Sequence, residues 1–142
     1  MKRKKQIFKI VVLEDSSFYN NILTRQLEYY TNAIAMDKKC EFNIQSFTSS
    51  VDFVRNLQPD IDIAFVDYYL GNGVTGSQII REIKKVCKNC KIIIISQSRS
   101  MRTGTMTLTE GAKDYIYKDK HALSKSCFIV EDIVNDRLMR SP

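Results

Sequence analysis

Two rhythms of apolar and polar positions alternate along this chain. Runs such as IAFV (63–66) and IIII (92–95) are apolar at every position, as strands are when a parallel sheet is covered on both faces. Between such runs, apolar residues recur every three or four positions, the mark of helices with one buried side. The pattern predicts strands at 7–14, 41–47, 61–67, 91–96 and 114–118. It predicts helices at about 16–31, 48–57, 77–87, 99–110 and 121–139. Five βα units in a chain of this length predict an open, doubly wound α/β fold, with a five-stranded parallel sheet and five helices over its two faces. TGTMTLTEG (103–111) reads two ways. Its alternating Thr suggests a strand, while the βα rhythm demands a helix. Thr and Gly are poor helix formers, so a loose helix is expected there.

Helical wheels add two expectations. Phe18, Tyr19, Ile22, Leu23, Leu27 and Tyr30 span about 180°, wider than the ~100° stripe of an ordinary surface helix. Either the first helix is deeply buried or one edge of it, Phe18 and Ile22, is left for a partner. On the last helix, Leu123, Cys127, Val130, Val134 and Leu138 fall within about an 80° arc and should face the core. Ile129 and Ile133 lie outside that arc and are expected to be available to a downstream protein or a second copy of the chain.

Length and composition narrow the class. At 142 residues and 44% hydrophobic, the chain suits one domain with a real core. The net charge of +6 owes four units to Lys2, Arg3, Lys4 and Lys5, which leaves the body only about +2. We expect residues 1–6 to be a basic tail and 7–139 the domain, with no direct nucleic-acid partner. No apolar stretch reaches the ~18 residues a membrane span needs. The basic start imitates a signal peptide, but Lys9 and Glu14-Asp15 interrupt the apolar stretch after it, so a cytoplasmic protein is expected. Met139–Pro142 is too short for an effector domain, so a stand-alone domain or an excerpt of a longer protein is expected. Cys87 and Cys90 form a CxxC at the end of a helix rather than at its start, and Cys40 and Cys127 are isolated. Neither a redox motif nor a zinc site fits, and free thiols are expected.

The chemistry lies at the carboxyl ends of the strands, where open α/β sheets bind ligands. The first strand delivers Glu14 and Asp15, the third Asp67, the fourth Ser96 and the fifth Lys118. Two carboxylates 4 Å apart repel by about 1 kcal/mol in water, and by about 4 at an effective dielectric of 20. A hard divalent cation such as Mg²⁺, with its preference for oxygen, relieves that repulsion. Lys118 and the cation together would offset the charge of an arriving phosphoryl group. Ser96 could donate to that group, and Asp67 could accept it as an acyl phosphate.

This order of motifs resembles the receiver domain of bacterial response regulators. The resemblance is carried by ED at 14–15, FVDYYL at 65–70, IIIIS at 92–96 and GAKDYIYK at 111–118, and it covers about Ile7 to Leu138. It implies a flavodoxin-like sheet of order 2-1-3-4-5 and Mg²⁺-dependent transfer of phosphate to Asp67. The donor would be a histidine kinase or a histidine phosphotransfer protein, with slow self-dephosphorylation afterwards. By the same resemblance, Tyr69 would lend its backbone carbonyl to the metal, and Tyr115 would be a switch aromatic coupled to Ser96. The chain departs from the family at Asp119, where Pro is common, at Gln97, where a small residue is common, and in a longer loop after Asp67.

Three rival readings remain. Gly71, Gly73 and Gly76 spell GxGxxG, but Tyr68, Tyr69 and Leu70 separate the strand from the first glycine, and no acid stands about 20 residues on. An aspartate-nucleophile phosphatase of the haloacid dehalogenase type uses similar parts, but with its nucleophile on the first strand and the acidic pair last. A receiver-like module that only binds a partner would not need the intact Glu14, Asp15, Asp67, Ser96 and Lys118. The lone His121 cannot build a histidine metal site and reads as a surface or capping residue.

Overall fold

The computed structural model describes residues 5–140, so most of the tail expected at 1–6 lies outside the described residues. Five strands alternate with five helices: β1 (Ile7–Leu13), α1 (Ser17–Lys38), β2 (Glu41–Phe47), α2 (Ser50–Arg55), β3 (Ile63–Asp67), α3 (Gly76–Val86), β4 (Lys91–Ser96), α4 (Met101–Thr109), β5 (Asp114–Tyr117) and α5 (Ala122–Arg140). All strand pairs are parallel, in the order β2-β1-β3-β4-β5. The order reverses direction at β1 and β3, so the loops after these two strands diverge and leave a cleft at their carboxyl ends. This is the flavodoxin-like sheet the sequence implies.

The continuous apolar runs make the two central strands what they are. β3 is buried at every residue, and β4 at all but Lys91. Their side chains feed two cores, one on each face. Phe8, Ile10, Val12, Phe65, Ile93 and Ile95 pack under α1 and α5. Leu13, Val66, Ile92 and Ile94 pack under α2 and α3 with Phe53, Ile80 and Ile83. β2 is an edge strand and alternates exposed and half-buried residues accordingly.

Most element ends fall within one or two residues of the sequence expectation. The first helix does not: it runs seven residues further, through NAIAMDK, to a left-handed cap at Lys39. Ala33, Ala35 and Met36 are strong helix formers, so nothing stops the helix before that cap. α4 is a helix despite its four Thr residues, capped by Ser100, whose hydroxyl accepts from Thr103 N at 3.3 Å. All four cysteines are free and buried. Burial pushes the Cys90 thiol up to about 12 and Cys127 to about 11, far from a reactive thiolate.

The expectation for Ile129 and Ile133 is corrected. Ile133 is buried in the core and Ile129 is packed against it. α5 contacts both α1 and β5, so it buries a wider arc than one neighbour would require. The exposed apolar residue of α5 in this region is Phe128, whose ring meets Tyr30 edge-on at 6.3 Å. On α1, Leu23 and Leu27 are fully buried, Ile22 is half-buried and Phe18 is 76% exposed. The wide apolar arc is thus mostly core, with Phe18 left free at its edge.

Candidate functional site

Glu14 is the first residue past β1, Asp67 the last of β3, and Lys118 the first past β5. Their backbones are pinned by the sheet and its extensions. Glu14 N donates to Phe47 O at 3.0 Å and Lys118 N to Ser96 O at 2.8 Å. Asn20, buried in the first turn of α1, donates through its side chain to Glu14 O at 3.1 Å and Phe47 O at 3.0 Å. It thereby ties the ends of β1 and β2 to the helix.

The acids meet as the sequence predicts. Glu14, Asp15 and Asp67 can each place a carboxylate oxygen within 4.8 Å of the others. Glu14 and Asp67 are buried, while Asp15 faces solvent beside Gly71. Lys118 reaches into this group. Its ammonium forms a close ion pair with Glu14 and lies 3.4 Å from Asp67 Oδ1. Burial above all, then the hydrogen bond and charge of Glu14, push the Asp67 carboxyl up to about 8, with Lys118 pulling the other way. Three hard oxygen donors and one lysine to balance them form a donor set that suits a small divalent cation.

A cleft lined by Glu14, Asp15, Ser16, Asp67, Tyr69, Gln97 and Lys118 opens above the acids, with a volume of about 170 Å³. Tyr69 is therefore at the site, and the loop that carries it is compact. Leu70 N donates to Val74 O, Gly76 N donates to Tyr68 O, and Asn72 and Gly73 take positive φ. The glycines thus serve this turn and the close seating of α3. A Cβ on Gly76 would come within 3.1 Å of Tyr68 Cα.

Ser96 is fully buried and does not line this cleft, whereas Gln97, the next residue, does. The Ser96 hydroxyl accepts from Ser98 N at 3.0 Å, and Tyr115 Oη donates to Ser98 O at 2.7 Å. Ser98 contacts both of the positions that the resemblance couples. Gly104 of α4 lies over the Tyr115 ring. Asp119, in place of the common Pro, shapes the turn that leads into α5: its carboxylate accepts from His121 N at 2.8 Å and its carbonyl from Ala122 N at 3.2 Å.

The sequence reading missed three contributors. Asn20 and Ser98 are ordinary polar residues whose value lies in backbone atoms brought near by the fold. Tyr19 is the third: its ring lies under the Lys118 ammonium, 4.5 Å from centroid to Nζ. The available signal was an aromatic four residues after Asp15, one turn into a helix that begins at the site.

No helix among the described residues is long and apolar enough to cross a membrane. No curated protein matches the sequence. Solved structures that resemble this one include a response regulator receiver domain protein from Clostridium thermocellum, with 21% identity, a TM-score of 0.74, and coverage of 94% of this chain and 99% of that one. Another is a CheY-like receiver domain protein from Methanospirillum hungatei, with 16% identity, a TM-score of 0.71, and coverage of 94% and 99%. A third is a response regulator from Burkholderia pseudomallei, whose structure carries a phosphorylated aspartic acid and a calcium ion, with 17% identity, a TM-score of 0.65, and coverage of 94% and 75%. At these identities the likeness speaks for the fold alone. The family model for the response regulator receiver domain matches residues 10–125, most of the chain, and on that match the chain belongs to the response regulator receiver domain family.

Proposed function

We propose that this chain is a phosphorylation-activated receiver, spanning 7–139, in which Asp67 accepts a phosphoryl group from a histidine kinase or a histidine phosphotransfer protein. In the transfer, the bond from phosphorus to the donor histidine nitrogen breaks and a bond to an Asp67 carboxylate oxygen forms. The product is an acyl phosphate, and later hydrolysis returns the carboxylate. Glu14, Asp15 and Asp67 would hold Mg²⁺, with the Tyr69 carbonyl as a further ligand. When bound, the ion supplies positive charge for the phosphoryl oxygens and lets the three carboxylates stay ionised together. Lys118 binds and orients a phosphoryl oxygen, and Ser96 donates to another once its hydroxyl leaves the Ser98 amide.

The observation that carries this reading is the gathering of Glu14, Asp15 and Asp67 at the strand ends, with the Lys118 ammonium against Glu14 and Asp67. A purely structural salt bridge would not need a third acid held open to solvent. Output would pass from Ser96 and Tyr115 through Ser98, shifting the face built by α4, β5 and α5 toward a downstream protein or a second copy. Phe18 with Ile22 would serve kinase docking. We place the protein in the cytoplasm, where such donors act.

Beryllofluoride, a phosphoryl mimic, tests the reading. With Mg²⁺ it should bind the native protein tightly and perturb amide signals at 67–70 and 96–118. Asp67→Asn should show no binding. Equal binding by Asp67→Asn, or binding that ignores Mg²⁺ removal, contradicts it.

A further inference from the structure

We infer that Tyr19 is a positioning residue that holds the Lys118 ammonium over the acidic cleft through its ring face rather than its hydroxyl. The inference rests on the reading of Lys118 as the group that meets the phosphoryl oxygens. Three observations carry it. The ammonium sits 4.5 Å from the Tyr19 ring centroid, inside the range of a cation–π contact. The ring is held by packing against the α1–α5 core, on a backbone pinned where Tyr19 N donates to the Ser16 hydroxyl at 3.3 Å. The hydroxyl, in contrast, is buried and has no hydrogen-bond partner among the described residues. A tyrosine kept only for its hydroxyl would be expected to use it.

The contact has a purpose that the carboxylates alone do not serve. Lys118 is a flexible stem with a strongly hydrated head, and it stays folded in only while something holds it. Here Glu14 and Asp67 hold it. Those same oxygens are the ones a divalent cation would share, and sharing weakens their pull on the ammonium. The attraction of a π face does not depend on carboxylate charge. Tyr19 therefore keeps the ammonium in place in the state where the ion pairs are weakest. The plain alternative is that Tyr19 is a core aromatic that happens to lie beneath Lys118.

Two variants separate these. Tyr19→Phe keeps the ring and drops the idle hydroxyl, while Tyr19→Leu keeps apolar bulk and drops the ring. Proton NMR should show the Lys118 side-chain methylenes shifted upfield by the ring in the native protein and in Tyr19→Phe, with and without Mg²⁺. The shift should vanish in Tyr19→Leu. With acetyl phosphate as donor, the maximal phosphorylation rate of Tyr19→Leu should fall by about threefold to tenfold, the range such a contact supports, with Mg²⁺ affinity retained. Tyr19→Phe should match the native rate. If Tyr19→Leu fails to fold, the native shift and the Tyr19→Phe rate still decide. No upfield shift in the native protein, a native rate in Tyr19→Leu, or a slow Tyr19→Phe would each overturn the assignment. A native protein that shows the shift but takes no phosphate would instead overturn the proposed function and leave the placement of Lys118 standing.

Discussion

A carboxyl such as Asp67, buried against Glu14, makes the metal-free protein sensitive to pH. Its ordinary value is 3.8 and the fold raises it to about 8. Between those values the folded state keeps a proton that the unfolded state releases. The stability from this group is therefore full below about pH 4, falls as pH rises, and is gone above about pH 8. Thermal melts of metal-free protein should show a shallower decline across that window in Asp67→Asn than in the native protein. At the alkaline end the variant should be the more stable of the two. Parallel curves would mean that Asp67 does not share a buried site with Glu14. The acids and Lys118 were legible because each stands at or just past the end of an apolar strand, where position alone brings it to the cleft, while Ser96 ends its strand buried outside the cleft lining. Tyr19 was not, because its contact with Lys118 joins residues 99 positions apart in the chain. No local periodicity records such a contact.

Among the elements, α4 is the one built weakly. Thr103, Thr105, Thr107 and Thr109 lose side-chain freedom in a helix, and Gly104 in its second turn adds backbone entropy to the cost. Thr107 and Thr109 return their hydroxyls to carbonyls of the same helix, at 3.0 and 2.9 Å, which adds no tertiary tie. Gly104→Ala should stabilise this helix by about 0.5–1 kcal/mol. The added methyl would meet the Tyr115 ring at an ordinary 3.7 Å, so no clash offsets the gain. Amide exchange of 101–109 should slow, and urea denaturation should shift upward. Faster exchange would show that Gly104 is there for the Tyr115 ring. Gly76→Ala makes the opposite case: its methyl would press on Tyr68 backbone, and a loss of about 1–3 kcal/mol is expected. Element type and order were legible here because two periods, continuous apolar and three-to-four, are hard to confuse at these lengths. The end of α1 was not legible, since Ala- and Met-rich sequence gives no stop signal before Lys39. Nor was the burial of Ile133, because a helical wheel assumes one neighbour and α5 has two.

At the scale of the whole molecule, the fold divides labour between the two ends of its sheet. Buried β3 and β4 supply stability and fix the strand ends to within hydrogen-bond tolerance. The loops beyond them carry the charges, so the costly acidic group rests on the most rigid part of the protein. The face proposed for signalling is narrower than the sequence suggested, since Ile133 is core. Met101, Met106 and Leu108 on α4 and Phe128 and Met139 on α5 are exposed apolar residues. On the proposed reading, all of this serves one event, the arrival of phosphate on Asp67. The most direct test is the intact mass of the protein after incubation with acetyl phosphate, with Mg²⁺ and with the metal removed. One phosphoryl group should be gained only when Mg²⁺ is present, mapped to Asp67, released by hydroxylamine, and absent in Asp67→Asn. A gain that persists in Asp67→Asn at the native rate, or no gain in the native protein under any metal condition, would contradict phosphate arrival on Asp67.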